Sequence, residues 1–159
     1  MGSTNIDEFN LMTGKVFAVL YEAFPIPVYL SPAEFEVPVG AEGEYDPITG
    51  ELAGSEPPTH EELIFAHTVQ WLIDTGYMTC GSLPSGCIPS LRTHFPNSRL
   101  TAKGLETLNA IPDSLKSESL GSQIAAASKS GSVELLKMAV GEALGIGAVA
   151  FGRYMGIPQ

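Results

Sequence analysis

The sequence predicts a mainly helical domain with a small β-hairpin and a helical C-terminal extension. Three observations lead to this prediction. Apolar residues recur every three or four positions in several segments, which is the period of an amphipathic helix. Two segments at 77–80 and 91–100 have strand character and flank a turn-rich connection. The stretch 133–155 is apolar around most of its circumference, which indicates a helix buried on several sides.

The first predicted helix has one apolar face, formed by Phe9, Met12, Val16, Phe17, Leu20 and Phe24. Pro25 and Pro27 end it, because proline disfavours helical geometry in the residue before it. A short strand follows at 28–30. Ser31 and Pro32 then open a short helix as its N-cap and first helical residue, and Pro38 stops it.

Residues 38–58 are rich in proline, glycine and carboxylates, which predicts an acidic loop. The next helix begins with a capping box, in which Thr59 and Glu62 satisfy each other's backbone N–H groups. Its buried face is predicted to hold Leu63, Ala66, Val69, Leu72 and Ile73, and Gly76 ends it. After the hairpin, Thr101 caps a further helix that Pro112 closes.

These elements divide the chain into three predicted segments. Residues 1–112 form one domain with the 38–58 loop as an insertion, and its first ten residues are expected to be frayed. Residues 113–132 are a serine-rich linker, although Leu120, Ile124 and Ala125 would allow a short helix there. Residues 133–159 form an apolar helix for assembly.

Charge is distributed unevenly along the chain, whose net charge is −10. Almost all of the negative charge lies in residues 1–76, where Lys15 is the only base. Nucleic acid binding depends on lysine and arginine at phosphates, so any such contact must come from the second half. No secretory signal opens the sequence, and the apolar run 143–152 is far shorter than the roughly 20 residues of a membrane helix. A cytoplasmic location without a membrane span is therefore expected.

Cys80 and Cys87 are too few for a disulfide framework. Together with His94 they lack the paired spacing of structural zinc ligands, so neither a metal nor another cofactor is expected. Two free thiols, or a disulfide across the hairpin, remain open. The chain contains no G-x-S-x-G, H-E-x-x-H or P-loop motif, which favours binding over catalysis.

Two motifs carry a resemblance to a known family. The segment 71–77 (WLIDTGY) resembles the L-x-x-x-G-[YFL] exit from a recognition helix, and 100–105 (LTAKGL) resembles the L-T-x-K-G that leaves the wing of winged helix-turn-helix regulators. The order of predicted elements over 9–112 is similar too. The resemblance implies a winged-helix core that binds DNA. The 38–58 loop departs from the family, which joins its second and third helices by a short turn.

The resemblance also implies where DNA would be contacted. The candidate recognition helix offers Thr59, His60, His67 and Gln70, with no lysine or arginine. The candidate phosphate contacts of the wing are Arg92, His94, Arg99 and Lys103. Two hypotheses follow: a dimeric transcriptional regulator that binds double-stranded DNA, or a winged-helix module that has lost DNA binding and binds an unidentified protein.

The C-terminal helix is predicted to mediate homo-oligomer formation. One winged-helix core is too small to cover all of its apolar faces, so a second subunit is the expected cover. The predicted dimer interface comprises Leu136, Val140, Leu144, Val149 and Phe151. Gly141 and Gly145 form a G-x-x-x-G pattern that permits close helix contact. The alternative is that the helix folds back over the first helix of its own chain.

Overall fold

The computed structural model describes residues 2–83, 91–109 and 118–154, with side chains up to residue 149. It is mainly helical with a small antiparallel sheet. The elements in chain order are α1 (Asn5–Ala23), β1 (Val28–Leu30), a 3₁₀ helix (Pro32–Phe35), β2 (Glu44–Tyr45), β3 (Leu52–Ala53), α2 (His60–Asp74), β4 (Met78–Thr79), β5 (Phe95–Leu100), α3 (Ala102–Asn109), α4 (Leu120–Ser130) and α5 (Val133–Tyr154).

Helix α1 begins earlier than the sequence predicts, because a capping box holds its first turn. The Thr4 hydroxyl accepts the backbone N–H of Asp7, and the Asp7 carboxylate accepts the N–H of Thr4. The chain is therefore helical from Asn5 onward, and the predicted fraying of the first ten residues is wrong from that position. Val16 and Phe17 from the apolar face of α1 are fully buried at the centre of the core.

The small sheet has three strands in the order β1-β5-β4, all antiparallel. Strand β5 lies at its centre, with Phe95 opposite Leu30 of β1 and Arg99 opposite Thr79 of β4. Phe95 and Leu30 are completely buried. The predicted hairpin is thus present, and β1 joins it as a third strand, which closes one edge of the hairpin.

The acidic segment 38–58 contains a second, two-stranded sheet, β2-β3. This β2-β3 hairpin projects from the domain, and Ile48 at its tip is 93% exposed. Its base is closed by two hydrogen bonds: the Glu56 backbone N–H donates to the Ala41 carbonyl, and the Ala41 N–H donates to the Glu56 carboxylate. The segment is mostly outside the core, as predicted, but it has regular structure of its own.

Helix α4 lies within the segment predicted as a linker, at the place where Leu120, Ile124 and Ala125 allow a short helix. The Ser119 hydroxyl accepts the N–H of Ser122 at its start, and Gly131 ends it in the left-handed conformation. Leu120 and Ile124 are fully buried against the rest of the domain. Residues 118–132 therefore belong to the same core as α1. The remainder of the predicted linker and Pro112 lie outside the described residues.

Glycines let α1, α4 and α5 pack closely. A Cβ added at Gly14 of α1 would overlap Leu136 of α5, and one added at Gly121 of α4 would overlap the Tyr21 ring. Gly141 and Gly145, by contrast, have nothing within 4 Å of an added Cβ. The predicted G-x-x-x-G pair thus makes no close packing contact with the described part of the chain. Within the ranges described above, no helix is both long and apolar enough to cross a bilayer.

Candidate binding surfaces: a helix groove and the wing

An apolar groove of about 430 Å³ lies between the first turns of α1 and the outer side of α2. We call it the α1-α2 groove. Its lining residues are Asn5, Ile6, Phe9, His60, Leu63, Ile64, His67, Thr68 and Trp71. On α2 these residues recur at spacings of three and four, so they form one stripe along the helix. The stripe lies beside the buried residues Phe65, Val69 and Leu72, which hold α2 against the core.

Trp71 lies at one end of the groove and is fixed by two aromatic neighbours. Its ring meets Phe9 edge-on at a centroid distance of 5.1 Å and stacks on Tyr77 at 6.1 Å. Even so, Trp71 remains 40% exposed, and Leu63 remains 38% exposed. A rigid aromatic ring with an open face is the residue type that most often anchors protein interfaces.

At the other end of the groove, His60 contacts α1. Its Nε2 lies 2.6 Å from the Glu8 carboxylate, which links the N-terminal turns of the two helices. The neighbouring Asp7 does not line the groove, because its carboxylate is paired with the Lys137 ammonium of α5 at 3.1 Å. The groove therefore has an apolar floor, and the end that contains His60 lies beside the Glu8 carboxylate.

The predicted recognition residues are largely engaged within the chain. Thr59 caps α2 and also donates its hydroxyl to the Pro38 carbonyl at 2.7 Å. Gln70 donates to Asp74 at 2.8 Å. Only His67 presents its side chain to solvent without such a contact among the described residues, and it lines the groove.

Arg92, predicted to contact phosphates, instead stabilises the region of the β4-β5 hairpin. Its guanidinium donates to the Gly81 carbonyl at 2.7 Å and to the His94 carbonyl at 3.2 Å. It also lies over the Phe95 ring, 4.9 Å from the centroid. These contacts tie β5 to the segment after β4, so the charge is directed toward backbone oxygens.

Lys103 is engaged in the same way at the C-terminal end of α2. Its ammonium donates to the Thr75 carbonyl at 2.8 Å and lies 4.1 Å from the centroid of the Tyr77 ring. Burial lowers its pKa, because the charged form loses water. A cation at the last carbonyls of a helix stabilises the helix dipole, so Lys103 has a structural role in this fold.

The other two predicted phosphate contacts, His94 and Arg99, are exposed. The His94 Nδ1 lies 2.7 Å from the Tyr29 hydroxyl, and both side chains are exposed. The Arg99 side chain, on the exposed side of β5, has no hydrogen-bond or ion-pair partner among the described residues. Tyr29 was not among the predicted site residues. Its signal in the sequence was the alternation of β1, which directs Leu30 inward and Tyr29 outward.

The predicted dimer-interface residues fall into two groups. Leu136 and Val140 are buried within the chain, and Gly14 of α1 packs directly against both. Leu144 is partly buried against the same core. Val149 is 43% exposed, and the side chain of Phe151 lies outside the described residues. Packing of α5 over α1 of its own chain therefore explains the burial of Leu136 and Val140 without a second subunit.

Cys80 is half-buried and has no disulfide partner among the described residues. Cys87, and with it the choice between two free thiols and a disulfide across the hairpin, lies outside the described residues. In the described part of the chain, no three side chains of the types that ligate metals come together. Comparison with protein-family models, with curated proteins and with solved structures found no match to this chain.

Proposed function

We propose that this chain is a non-catalytic protein-binding module on a winged-helix scaffold, and that the α1-α2 groove is its binding surface. The scaffold is supported by the order of elements: α1, β1, the 3₁₀ helix, α2, and the β4-β5 pair, with the first strand beside the last. Gly76 takes a positive φ of 81° after α2, as the helix exit requires. Thr101 caps α3 through the N–H of Gly104.

The single observation that carries the proposal is the chemistry of the outer face of α2. In a winged helix that reads DNA, this region supplies arginine, lysine or amide side chains to base edges. Here the exposed stripe is Leu63, His67 and Trp71, beside a groove whose other wall is Ile6 and Phe9. Partly exposed apolar side chains along a groove favour a partner that buries them.

The state of the wing supports the same proposal. Two of its three cations, Arg92 and Lys103, donate to backbone carbonyls of their own domain. Phosphate contacts would have to compete with these hydrogen bonds. The acidic side chains of the first half, among them Glu8 and Glu61, add repulsion of a phosphate backbone.

A peptide-display selection tests the proposal. Random peptides are selected on the intact protein, and the affinity of each selected peptide is then measured by calorimetry for the wild type, for Leu63→Glu and for Ile48→Glu. Leu63 lines the groove, whereas Ile48 is exposed at the tip of the β2-β3 hairpin. We expect Leu63→Glu to weaken binding roughly tenfold or more, because a buried unpaired charge is costly.

Ile48→Glu introduces the same charge at an exposed apolar site away from the groove. It is therefore expected to leave the affinity unchanged. Selected peptides that bind all three proteins equally would show that the groove is not the binding surface. Absence of any selected peptide whose affinity depends on Leu63 would reject the proposed function.

Binding of double-stranded DNA by the wing is the second candidate function. The observation that favours it is the exposure of His94 and Arg99, since the Arg99 side chain has no hydrogen-bond or ion-pair partner among the described residues. Titration with random duplex DNA at low and moderate salt tests it. Binding that Arg99→Ala weakens, with a smaller salt slope, would support the regulator hypothesis. Equal DNA binding by the wild type and by Arg99→Ala would reject this second candidate function.

A further inference from the structure

The β2-β3 hairpin exposes two neighbouring apolar side chains on one of its faces. Tyr45 of β2 lies directly opposite Leu52 of β3, so the two side chains stand side by side on the same face of the sheet. Tyr45 is 63% exposed and Leu52 is 60% exposed. A single exposed apolar residue is ordinary, whereas adjacent ones form a patch that a partner can cover. We call the surface of Tyr45 and Leu52 the β2-β3 face.

Hydrogen bonds fix the shape of this hairpin outside the core. At its tip, the Asp46 backbone N–H donates to the Glu51 carbonyl at 2.9 Å, and the Gly50 N–H donates to the Asp46 carbonyl at 2.8 Å. At its base, Ala41 and Glu56 are hydrogen-bonded to each other. The β2-β3 face is therefore formed before a partner arrives, which lowers the entropic cost of binding.

Carboxylates accompany the β2-β3 face. Residues 38–58 contain no lysine, arginine or histidine but five carboxylates, namely Glu42, Glu44, Asp46, Glu51 and Glu56. None of the five forms an ion pair with a described residue. Leu52 also lines a groove of about 310 Å³ at the base of the hairpin, together with Glu42, Glu56 and Glu62, and the described lining of this groove includes no base. A cation brought to this face thus meets negative charge that no described side chain neutralises.

We propose that the β2-β3 face binds a basic segment of a partner protein, whose apolar side chains cover Tyr45 and Leu52 and whose lysine or arginine residues face the surrounding carboxylates. Five negative charges without a base favour a cationic occupant and repel an acidic peptide, a nucleic acid or an anionic membrane surface. The exposed apolar pair favours a segment with apolar residues between its cations over a simple polycation.

A second copy of this chain matches the β2-β3 face less well than a basic partner. Four of the lysines and arginines whose side chains the structure describes are engaged within their own chain: Arg92, Lys103, Lys129 and Lys137. The other two described ones are Lys15 and Arg99. Beside these two cations, a second copy brings a net charge of −10, which repels the hairpin.

Three short synthetic peptides test the proposal. The first alternates apolar residues with lysines, the second has glutamate in place of each lysine, and the third has serine in place of each apolar residue. Binding to the intact protein is measured by anisotropy at about 0.15 M salt, where distant charges are screened. We expect the first peptide to bind at least roughly tenfold more tightly than either of the others.

Two serine variants separate the β2-β3 face from the rest of the hairpin. Leu52→Ser removes an apolar side chain from the face, whereas Ala53→Ser changes the next residue of β3, which points to the opposite face. We expect Leu52→Ser to weaken binding of the first peptide roughly fivefold or more, and Ala53→Ser to leave it unchanged. Both variants place serine in the same short strand, so a general disruption of that strand would weaken both.

Two paired charge variants separate the hairpin from general attraction to an acidic protein. Glu42→Gln with Glu44→Gln removes two charges from the hairpin, and Glu34→Gln with Glu134→Gln removes two from exposed positions outside it. General attraction would fall equally in both. We expect the hairpin pair to weaken binding of the first peptide roughly threefold or more, and the control pair to leave it unchanged.

Equal affinity of the first peptide and either of the others, or equal losses within either set of variants, would overturn the proposal. So would a wild-type dimer in light scattering that Leu52→Ser dissociates, since a second copy would then occupy the face. Leu63→Glu changes only the α1-α2 groove and should leave the affinity of the first peptide unaltered. Binding that does not depend on Leu52 leaves the proposed function standing, and selected peptides that do not depend on Leu63 leave the β2-β3 face standing.

Discussion

The hydroxyl of Tyr77 lies against the Cα of Gly147 in α5, in the position that a Cβ on residue 147 would occupy. The same tyrosine contacts Phe17 of α1 and Trp71 of α2 through its ring, and its carbonyl accepts the N–H of Thr101. Burial raises the pKa of its hydroxyl, because the phenolate form would lose water. Tyr77 thus joins the core to the C-terminal helix.

This contact predicts opposite effects for two glycines of α5. Gly147→Ala forces its methyl group into the Tyr77 ring, and overpacking of this kind costs about 1–3 kcal/mol. Gly145→Ala adds a methyl group in open space, so the better helix propensity of alanine should raise stability by up to about 1 kcal/mol. Urea unfolding of the two variants beside the wild type measures both.

Tyr77→Phe in the Gly147→Ala background is the control. Removing the hydroxyl should recover part of the loss, because the ring carbons remain close to the new methyl group. If Gly147→Ala were as stable as Gly145→Ala, the close contact between Tyr77 and α5 would be absent in solution.

The N-terminal capping box predicts a pH dependence. The hydrogen bond from the Thr4 hydroxyl, followed by that from Lys137, lowers the pKa of Asp7 from 3.8 to about 2. A carboxylate whose pKa is lower in the folded state stabilises that state fully above the unfolded pKa. Its contribution should therefore be lost as the pH falls from about 4 to about 2.

Thermal unfolding of the wild type and Asp7→Asn from neutral to acidic pH checks this dependence. The variant should be less stable at neutral pH, and the two proteins should converge as the pH approaches 2. A stability difference that does not change with pH would contradict the role given to the Asp7 charge.

Arg92 and Arg99 are predicted to differ in their effect on stability. Arg92→Ala leaves the Gly81 carbonyl without its donor and removes a cation over Phe95, which should cost roughly 1–3 kcal/mol. Arg99→Ala changes an exposed side chain and should stay within about 0.5 kcal/mol of the wild type. Chemical unfolding compares them, and equal losses would refute the structural role of Arg92.

The β2-β3 hairpin is predicted to be dispensable for folding. Ala41 and Glu56 are hydrogen-bonded to each other, so a short Gly-Ser turn can replace residues 42–55 without moving the flanking chain. Val37 and Pro38 must remain, because Val37 is buried and the Pro38 carbonyl accepts the Thr59 hydroxyl. Calorimetry should show one cooperative transition near the wild-type temperature. Loss of cooperativity would place the hairpin in the core.

Self-association remains a prediction for the C-terminal end of α5. Since Leu136 and Val140 are covered within the chain, any contact between subunits must use surface such as Val149. We expect light scattering at tens of micromolar, a range that populates micromolar dimers, to show a dimer that Val149→Glu dissociates. A monodisperse wild-type monomer would leave the fold-back packing as the complete account of this helix.

The sequence predicts the individual helices and strands well where local chemistry decides them. The capping box at Thr59 and Glu62, the end of α2 at Gly76 and the cap at Thr101 are all present. Such signals involve residues three or four positions apart, so they can be recognised without knowledge of the tertiary structure.

The sequence does not predict which distant segments of the chain contact each other. The sequence allows a short helix at Leu120, Ile124 and Ala125, but it does not show that this helix packs against α1, almost a hundred positions away. The positive charges of Arg92 and Lys103 predict phosphate contacts, because a charge in a sequence indicates that the side chain needs an acceptor but does not identify that acceptor. Their acceptors in the structure are the backbone carbonyls of Gly81 and Thr75. Every residue has such a carbonyl, so the pattern of side chains does not indicate which one is used. The sequence likewise predicts Phe9 only as part of the apolar face of the first helix, whereas in the structure it lines the α1-α2 groove.

Trp71 is the only tryptophan in the chain, and it lies in the α1-α2 groove between Phe9 and Tyr77. Its ultraviolet emission therefore originates from one place in the molecule. A ligand that covers the open face of the indole should shift that emission to shorter wavelength, whereas a ligand bound elsewhere on the domain should not. The molecule thus carries its own label-free optical reporter of which surface is occupied.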